Sequence, residues 1–163
     1  MILGMSLATF TTVHVIISLI AIAAGFVVAL GMAAGRVMPG WTMLFLVTTI
    51  LTSVTGFFFP NGHITPGIIV GVLSLITLAI ALFALYVKHD IGSWRWIYVV
   101  SAIVSLWFNV FVLIVQSFQK IDALKALAPT QSEPPFQIAQ GLALVLLVVL
   151  AIMALRKYRP MAA

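Results

Sequence analysis

No charged side chain occurs before Arg36, and none occurs between Arg36 and Lys88. A water-soluble surface needs roughly a quarter to a third of its residues charged, so a chain with such gaps has to be covered by lipid. Composition agrees: 64% of the 163 residues are apolar and only 7% are charged. The expected fold class is therefore an all-α integral membrane bundle forming a single transmembrane domain. A helix needs about 20 mostly apolar residues to cross the hydrocarbon layer, and five stretches qualify: 7–33, 41–59, 67–87, 94–118 and 136–155. Pro39-Gly40, Pro60-Asn61-Gly62, Asp90 to Ser93, Pro129 and Pro134-Pro135 separate them. Thr65 followed by Pro66 reads as an N-cap with proline at the first helical position. Ser93 is read as the cap of the fourth helix in the same way.

Charge then orients the bundle. With five spans, Arg36, Lys88, Arg95, Arg156, Lys157 and Arg159 fall on one side, against Lys120 and Lys125 on the other. Cytoplasmic loops carry the excess of Lys and Arg, so the N-terminus is expected outside and the C-terminus inside. Trp41, Trp94, Trp96, Tyr98 and Tyr158 fit an aromatic belt at the inner headgroup level. The first span has no basic residue ahead of it and is too long for a signal-peptide core, so it is expected to be retained. The outer loop 119–135 contains Ile121, Leu124 and Leu127 at helical spacing opposite Asp122 and Lys125. That pattern predicts a short amphipathic extension of the fourth helix, ending at Pro129, and then an extended connector.

In lipid, small and hydroxyl-bearing residues mark the faces where helices meet. His14, Ser18, Ala21, Gly25 and Ala29 share one side of the first span. Thr48, Thr49, Thr52, Ser53 and Thr55 share one side of the second, and Gly67, Gly71, Ser74, Leu78 and Ala81 one side of the third. The fourth carries Ser101, Ser105, Asn109 and Gln116, whereas the fifth is nearly all Leu, Val and Ala and is expected at the periphery. At about 1.5 Å per residue, His14, Thr52, Ser74 and Asn109 all lie on the order of 10–14 Å below the outer end. These four, with Gln116 and Gln140 nearer the entrance, are the candidate ligand-binding residues. The competing reading of the same layer is interhelical hydrogen bonding alone.

Chemistry that needs charged groups or thiols is mostly excluded. There is no cysteine, which removes disulfides, thiolate metal sites and thiol nucleophiles. No Asp or Glu enters a span, and no His-Glu-x-x-His or nucleophile turn occurs. The basic residues sit in clusters between apolar runs, which argues against nucleic acid. No catalytic residue and no cofactor are expected. The alternatives are haem b, which needs a facing pair of imidazoles, or a quinone in the polar layer. His14 and His63 are the metal candidates. A zinc site that adds Glu133 or Asp122 to them lacks motif spacing.

Thr12-Val13-His14-Val15, then Gly25 and Gly31, an arginine-containing turn and Thr52-Ser53-Val54-Thr55-Gly56-Phe57 resemble uncharacterised bacterial multi-pass proteins of unknown function. The resemblance extends over residues 1–118, and the family's four-helix core is similar to that of di-haem cytochrome b membrane subunits. It implies a bacterial inner-membrane location and no activity. Those cytochromes place His on the inner side where this chain has Gly35-Arg36 and Trp94-Arg95, so haem ligation does not carry over. The expected role is a non-enzymatic accessory, assembly or ligand- or lipid-binding subunit, with lipid and another membrane subunit or a second copy as partners. Small-solute transport or a haem- or quinone-binding redox subunit is the alternative.

Overall fold

The computed structural model describes residues 1–60 and 65–160. Its helices are α1 (Leu7–Ala33), α2 (Pro39–Gly56), α3 (Pro66–Leu82, continued by a π-helical turn Phe83–Val87), α4 (Ser93–Lys120), α5 (Asp122–Leu127) and α6 (Pro134–Lys157). Helices α1 to α4 pack in sequence, and α4 returns to α1 to close a ring. α6 lies in the groove between α1 and α4. The ring is a four-helix core of Ala, Val, Leu and Ile, with Phe45 and Tyr98 among its largest fully buried side chains.

Four of these helices, α1, α3 with its π turn, α4 and α6, are long and apolar enough to cross a membrane. Their outward faces are apolar as well: Leu142, Val145, Leu146 and Val149 of α6 are all exposed, while Thr49, Ser74, Ser105 and Asn109 are buried. This is the inverse of a soluble bundle, as the sparse charges require. α2 is not one of the four. It has 18 residues and rises about 27 Å, and Thr42, Thr48, Thr49, Thr52, Ser53 and Thr55 lower its apolar character.

The periodicity of the small residues is borne out. On α1, Ala21, Gly25 and Ala29 are buried, with His14 and Ser18 half-buried above them. At Gly25 an added Cβ would sit 2.6 Å from Leu106 Cδ1 and 2.9 Å from Phe45 Cε2. Glycine there lets α1 meet α2 and α4 at one point. On α3, Ser74, Leu78 and Ala81 face inward, but Gly67 is exposed. α6 is peripheral, burying only Leu147, Leu150 and Ala154.

Several boundaries differ from the sequence expectation, each for a local reason. α2 starts at Pro39 and stops at Gly56, earlier than the expected 41–59. Proline suits the first turn, whose N–H has no partner in any case, and Pro60 biases the residue before it away from helix. α6 takes in Pro134 and Pro135 for the same reason. Thr65 does cap α3, its hydroxyl accepting from the Ile68 N–H at 3.3 Å. Ser93 does not cap α4. The cap is Gly92 at φ +60°, and Ser93 is the first helical residue. The amphipathic segment is no continuation of α4: Ile121 is extended (φ −94°, ψ 112°) and breaks it off as α5. The connector that follows is folded, because the Glu133 carboxylate accepts from the Thr130 N–H, the Thr130 hydroxyl and the Ser132 N–H. His63 and Asn61 lie outside the described residues.

The ends of the helices gather the basic residues together. Arg95 Nη1 donates to the Leu155 and Tyr158 carbonyls at 2.9 and 3.0 Å, so the start of α4 meets the finish of α6. A Cβ at Gly35 would lie 3.2 Å from the Lys157 carbonyl oxygen, which brings the α1–α2 turn to the same end. Lys88, 5.6 Å from the Trp94 ring centroid, completes that end.

Candidate functional site

Each residue of the expected polar layer has a partner or a gap that can be stated. His14 Nδ1 lies 2.7 Å from Thr55 Oγ1. The Thr55 hydroxyl donates its own hydrogen to the Leu51 carbonyl at 2.6 Å, so it accepts from His14, and the proton of a neutral imidazole sits on Nδ1. Nε2 is left as an acceptor with no partner among the described residues. Phe59 lies edge-on to the imidazole with ring centroids 5.1 Å apart, and Phe10 packs on Phe59 in turn.

Asn109 crosses from α4 to α2, its Nδ2 donating to Thr49 Oγ1 at 3.1 Å. Deeper in the bundle, Thr77 and Ser105 join α3 to α4 with hydroxyls 2.8 Å apart. Thr52 Oγ1 and Ser74 Oγ are buried with no hydrogen-bond partner among the described residues. Gln140 Nε2 donates to the Phe111 carbonyl at 3.2 Å, and its Oε1 is likewise buried and unpartnered.

No hydrogen bond joins any two of the six candidates among the described residues. His14 and Thr52 lie on the adjacent helices α1 and α2, and Ser74 and Asn109 on the adjacent α3 and α4. Gln140 sits on the α4–α6 seam, apart from α2 and α3. Gln116 is exposed on α4 and lies outside the buried layer. Thr77 is a partner that the spacing argument missed; its only signal was a hydroxyl one turn from Ser74. Among the described residues no three His, Asp or Glu side chains converge on a point where a metal could bind.

The opposite end of the bundle holds a second polar cluster. Tyr98 and Tyr158, expected in the aromatic belt, are instead buried at 1% and 3% exposure. Tyr98 stands one turn before Ser101 on the inward face of α4, and Arg95 draws the finish of α6 against that helix, which brings the Tyr158 ring to 5.9 Å from the Tyr98 ring at a tilt of 46°. Trp41 and Trp96 do face outward. The Tyr158 hydroxyl donates to Asp90 Oδ2 at 2.6 Å, and Asp90 is itself buried. Burial pushes the Asp90 carboxyl above its usual value, against the smaller opposing pulls of the Tyr158 hydrogen bond and His89. The Tyr158 hydroxyl is pushed up by burial and by the neighbouring carboxylate.

A cavity of about 130 Å³ opens beside this cluster, lined by Val37, Pro39, Thr42, Leu85, Tyr98 and Tyr158. A second, shallower groove of about 270 Å³ runs between α3 and α4 past Thr77, Trp96 and Ser101. None of the six candidate residues lines either space. No family model, curated protein or solved structure matches the chain.

Proposed function

We propose that the chain is a non-enzymatic subunit of a bacterial inner membrane that holds a small ligand or lipid group in the outer half of a five-span bundle. In this reading α2 is the additional span. Its 18 residues nearly match the hydrocarbon thickness of about 30 Å, and its hydroxyls turn to the ring interior, leaving Val47, Leu51 and Val54 exposed. The basic end faces the cytoplasm, following the excess of Lys and Arg there.

The observation that carries the binding role is the set of buried atoms without partners. A buried hydroxyl without a hydrogen bond costs about 1–3 kcal/mol, and in a native structure such a group is matched by water or a ligand. Thr52 Oγ1 and Ser74 Oγ are two such groups within the polar layer. Asn109 and His14 supply further polar edges. Catalysis has no support from this set: it contains no carboxylate, and the hydroxyl beside His14, that of Thr55, accepts from the imidazole and gives its own hydrogen to the Leu51 carbonyl.

A density map of the protein purified in native lipid tests the reading. Ordered density within hydrogen-bonding distance of Thr52 Oγ1 and Ser74 Oγ is the expected result. Rotation of both hydroxyls onto carbonyls of their own helices, with nothing between α2 and α3, would remove the basis for a ligand.

A further inference from the structure

We infer that the cavity at the basic end of the bundle binds an uncharged, oxygen-bearing ring on an apolar tail, a quinone-type head. This site is separate from the outer layer, and its test is independent of what that layer holds.

Size sets the first limit. An apolar cavity of about 150 Å³ takes a single benzene ring, so the 130 Å³ found here admits one six-membered ring and leaves a tail outside. Tyr86, 53% exposed, stands at the rim and marks the open side. The wall is built for a ring: Tyr98 and Tyr158 present aromatic surface, and Val37, Pro39 and Leu85 present aliphatic surface.

Charge sets the second limit. Among the described residues no Lys or Arg lines the cavity. The two guanidiniums that reach the Tyr158 backbone are both committed to carbonyls, Arg95 to those of Leu155 and Tyr158 and Arg159 to that of Tyr158. Behind Tyr158 stands a carboxyl group, which disfavours an anion. A phosphate headgroup would therefore enter without a counter-charge, at a cost an uncharged ring avoids.

Hydrogen bonding sets the third. Thr42 and Tyr98 are both more than nine-tenths buried, and both line the cavity wall. Each hydroxyl has a hydrogen to offer, and a ring carbonyl oxygen, with two lone pairs, accepts from both. The Tyr158 hydroxyl has given its hydrogen to Asp90 and keeps a lone pair, which suits the hydroxyl of the reduced ring. The helix geometry contributes too. Leu85 and Tyr86 belong to the π-helical turn, closed by Lys88 N–H to the Phe83 carbonyl at 3.0 Å. Such turns widen a helix locally and recur at functional sites; here the turn brings both residues to the cavity.

The probe is a benzoquinone carrying a decyl tail, titrated into detergent-purified protein and read by quenching of tryptophan fluorescence, with Trp41, Trp94 and Trp96 all at this end. Saturable binding is expected, weakened about three- to tenfold by Thr42→Val and by Tyr98→Phe, the effect of one lost hydrogen bond. Val37→Phe, which fills the cavity and removes no hydroxyl, should abolish it. Thr42→Val is close in shape to the native side chain, so the question remains decidable if Tyr98→Phe fails to fold. Unchanged affinity in Thr42→Val would overturn the assignment. So would equal displacement by decylbenzene, which reports the tail alone, or by a short-chain phosphatidylglycerol, which reports an anion site.

Discussion

Replacing Tyr158 by Phe removes one oxygen atom and isolates Asp90. The lost contact is a 2.6 Å hydrogen bond to a buried carboxyl group, and bonds of this kind contribute about 1.5–3 kcal/mol when the partner is ionised. The two Arg95 contacts to the Leu155 and Tyr158 carbonyls involve only backbone acceptors and survive the change. The helix should therefore stay docked and the loss should fall within that range. Asp90→Asn has the opposite character, because its Oδ1 still accepts from Tyr158 and no charge is buried. The pH dependence separates the two. Desolvation raises the Asp90 pKa in the folded state above 3.8, and His89 and Tyr158 lower it less. The folded state therefore holds its proton more tightly than the unfolded state. Its contribution is complete below the unfolded value and is lost as pH rises through the folded one. Equilibrium unfolding in mixed micelles, followed by circular dichroism across this range, should show stability falling with pH in the parent protein. The fall should be absent in Asp90→Asn, which should be at least as stable as the parent at neutral pH. Asp90→Asn losing as much as Tyr158→Phe, or keeping the parent's pH slope, would refute the account of a buried carboxyl held by a tyrosine.

Gly25→Val should destabilise the bundle by about 1–3 kcal/mol, since overpacking costs that much and a Cβ already meets Leu106 and Phe45 at 2.6 and 2.9 Å; the same unfolding assay measures it, and an unchanged midpoint would contradict the close approach of α1, α2 and α4. Orientation is checked by reporters fused after Ala163: a cytoplasmic reporter should be active and a periplasmic one silent, and the reverse would overturn the reading of the basic end as the inner one.

Much of the helical framework is legible in the residues themselves. The limits of the first helix follow from its unbroken apolar run, and Thr65-Pro66 sets the start of the third through a cap that needs only its own neighbours. Ser101, Ser105 and Asn109 are buried as their spacing implies, because in lipid a polar side chain has little choice of direction. The cluster at the basic end was not legible as such. Tyr98 and Tyr158 stand near helix ends, where an aromatic facing lipid and one facing the core look alike in sequence. What turns Tyr158 inward is the capture of two carbonyls by Arg95, 60 and 63 residues away, whereas Tyr98 shares the inward face of Ser101 and Ser105. Gln116 is exposed, because at that end of α4 an amide can remain at the surface. Ser93 was displaced from its cap by Gly92, whose positive φ makes the turn first.

The capture of the α6 carbonyls also has a consequence for the order in which the protein is made. α1 to α4 emerge from the ribosome first and can close their ring unaided, since every neighbouring pair in it is complete by Lys120. Until α6 arrives, Arg95 has no carbonyl to hold, Asp90 has no tyrosine, and the groove between α1 and α4 faces lipid. A bundle of α1 to α4 without α6 therefore has an open polar mouth at its basic end. Docking of the 24-residue α6 and the Tyr158 that follows it shuts that mouth.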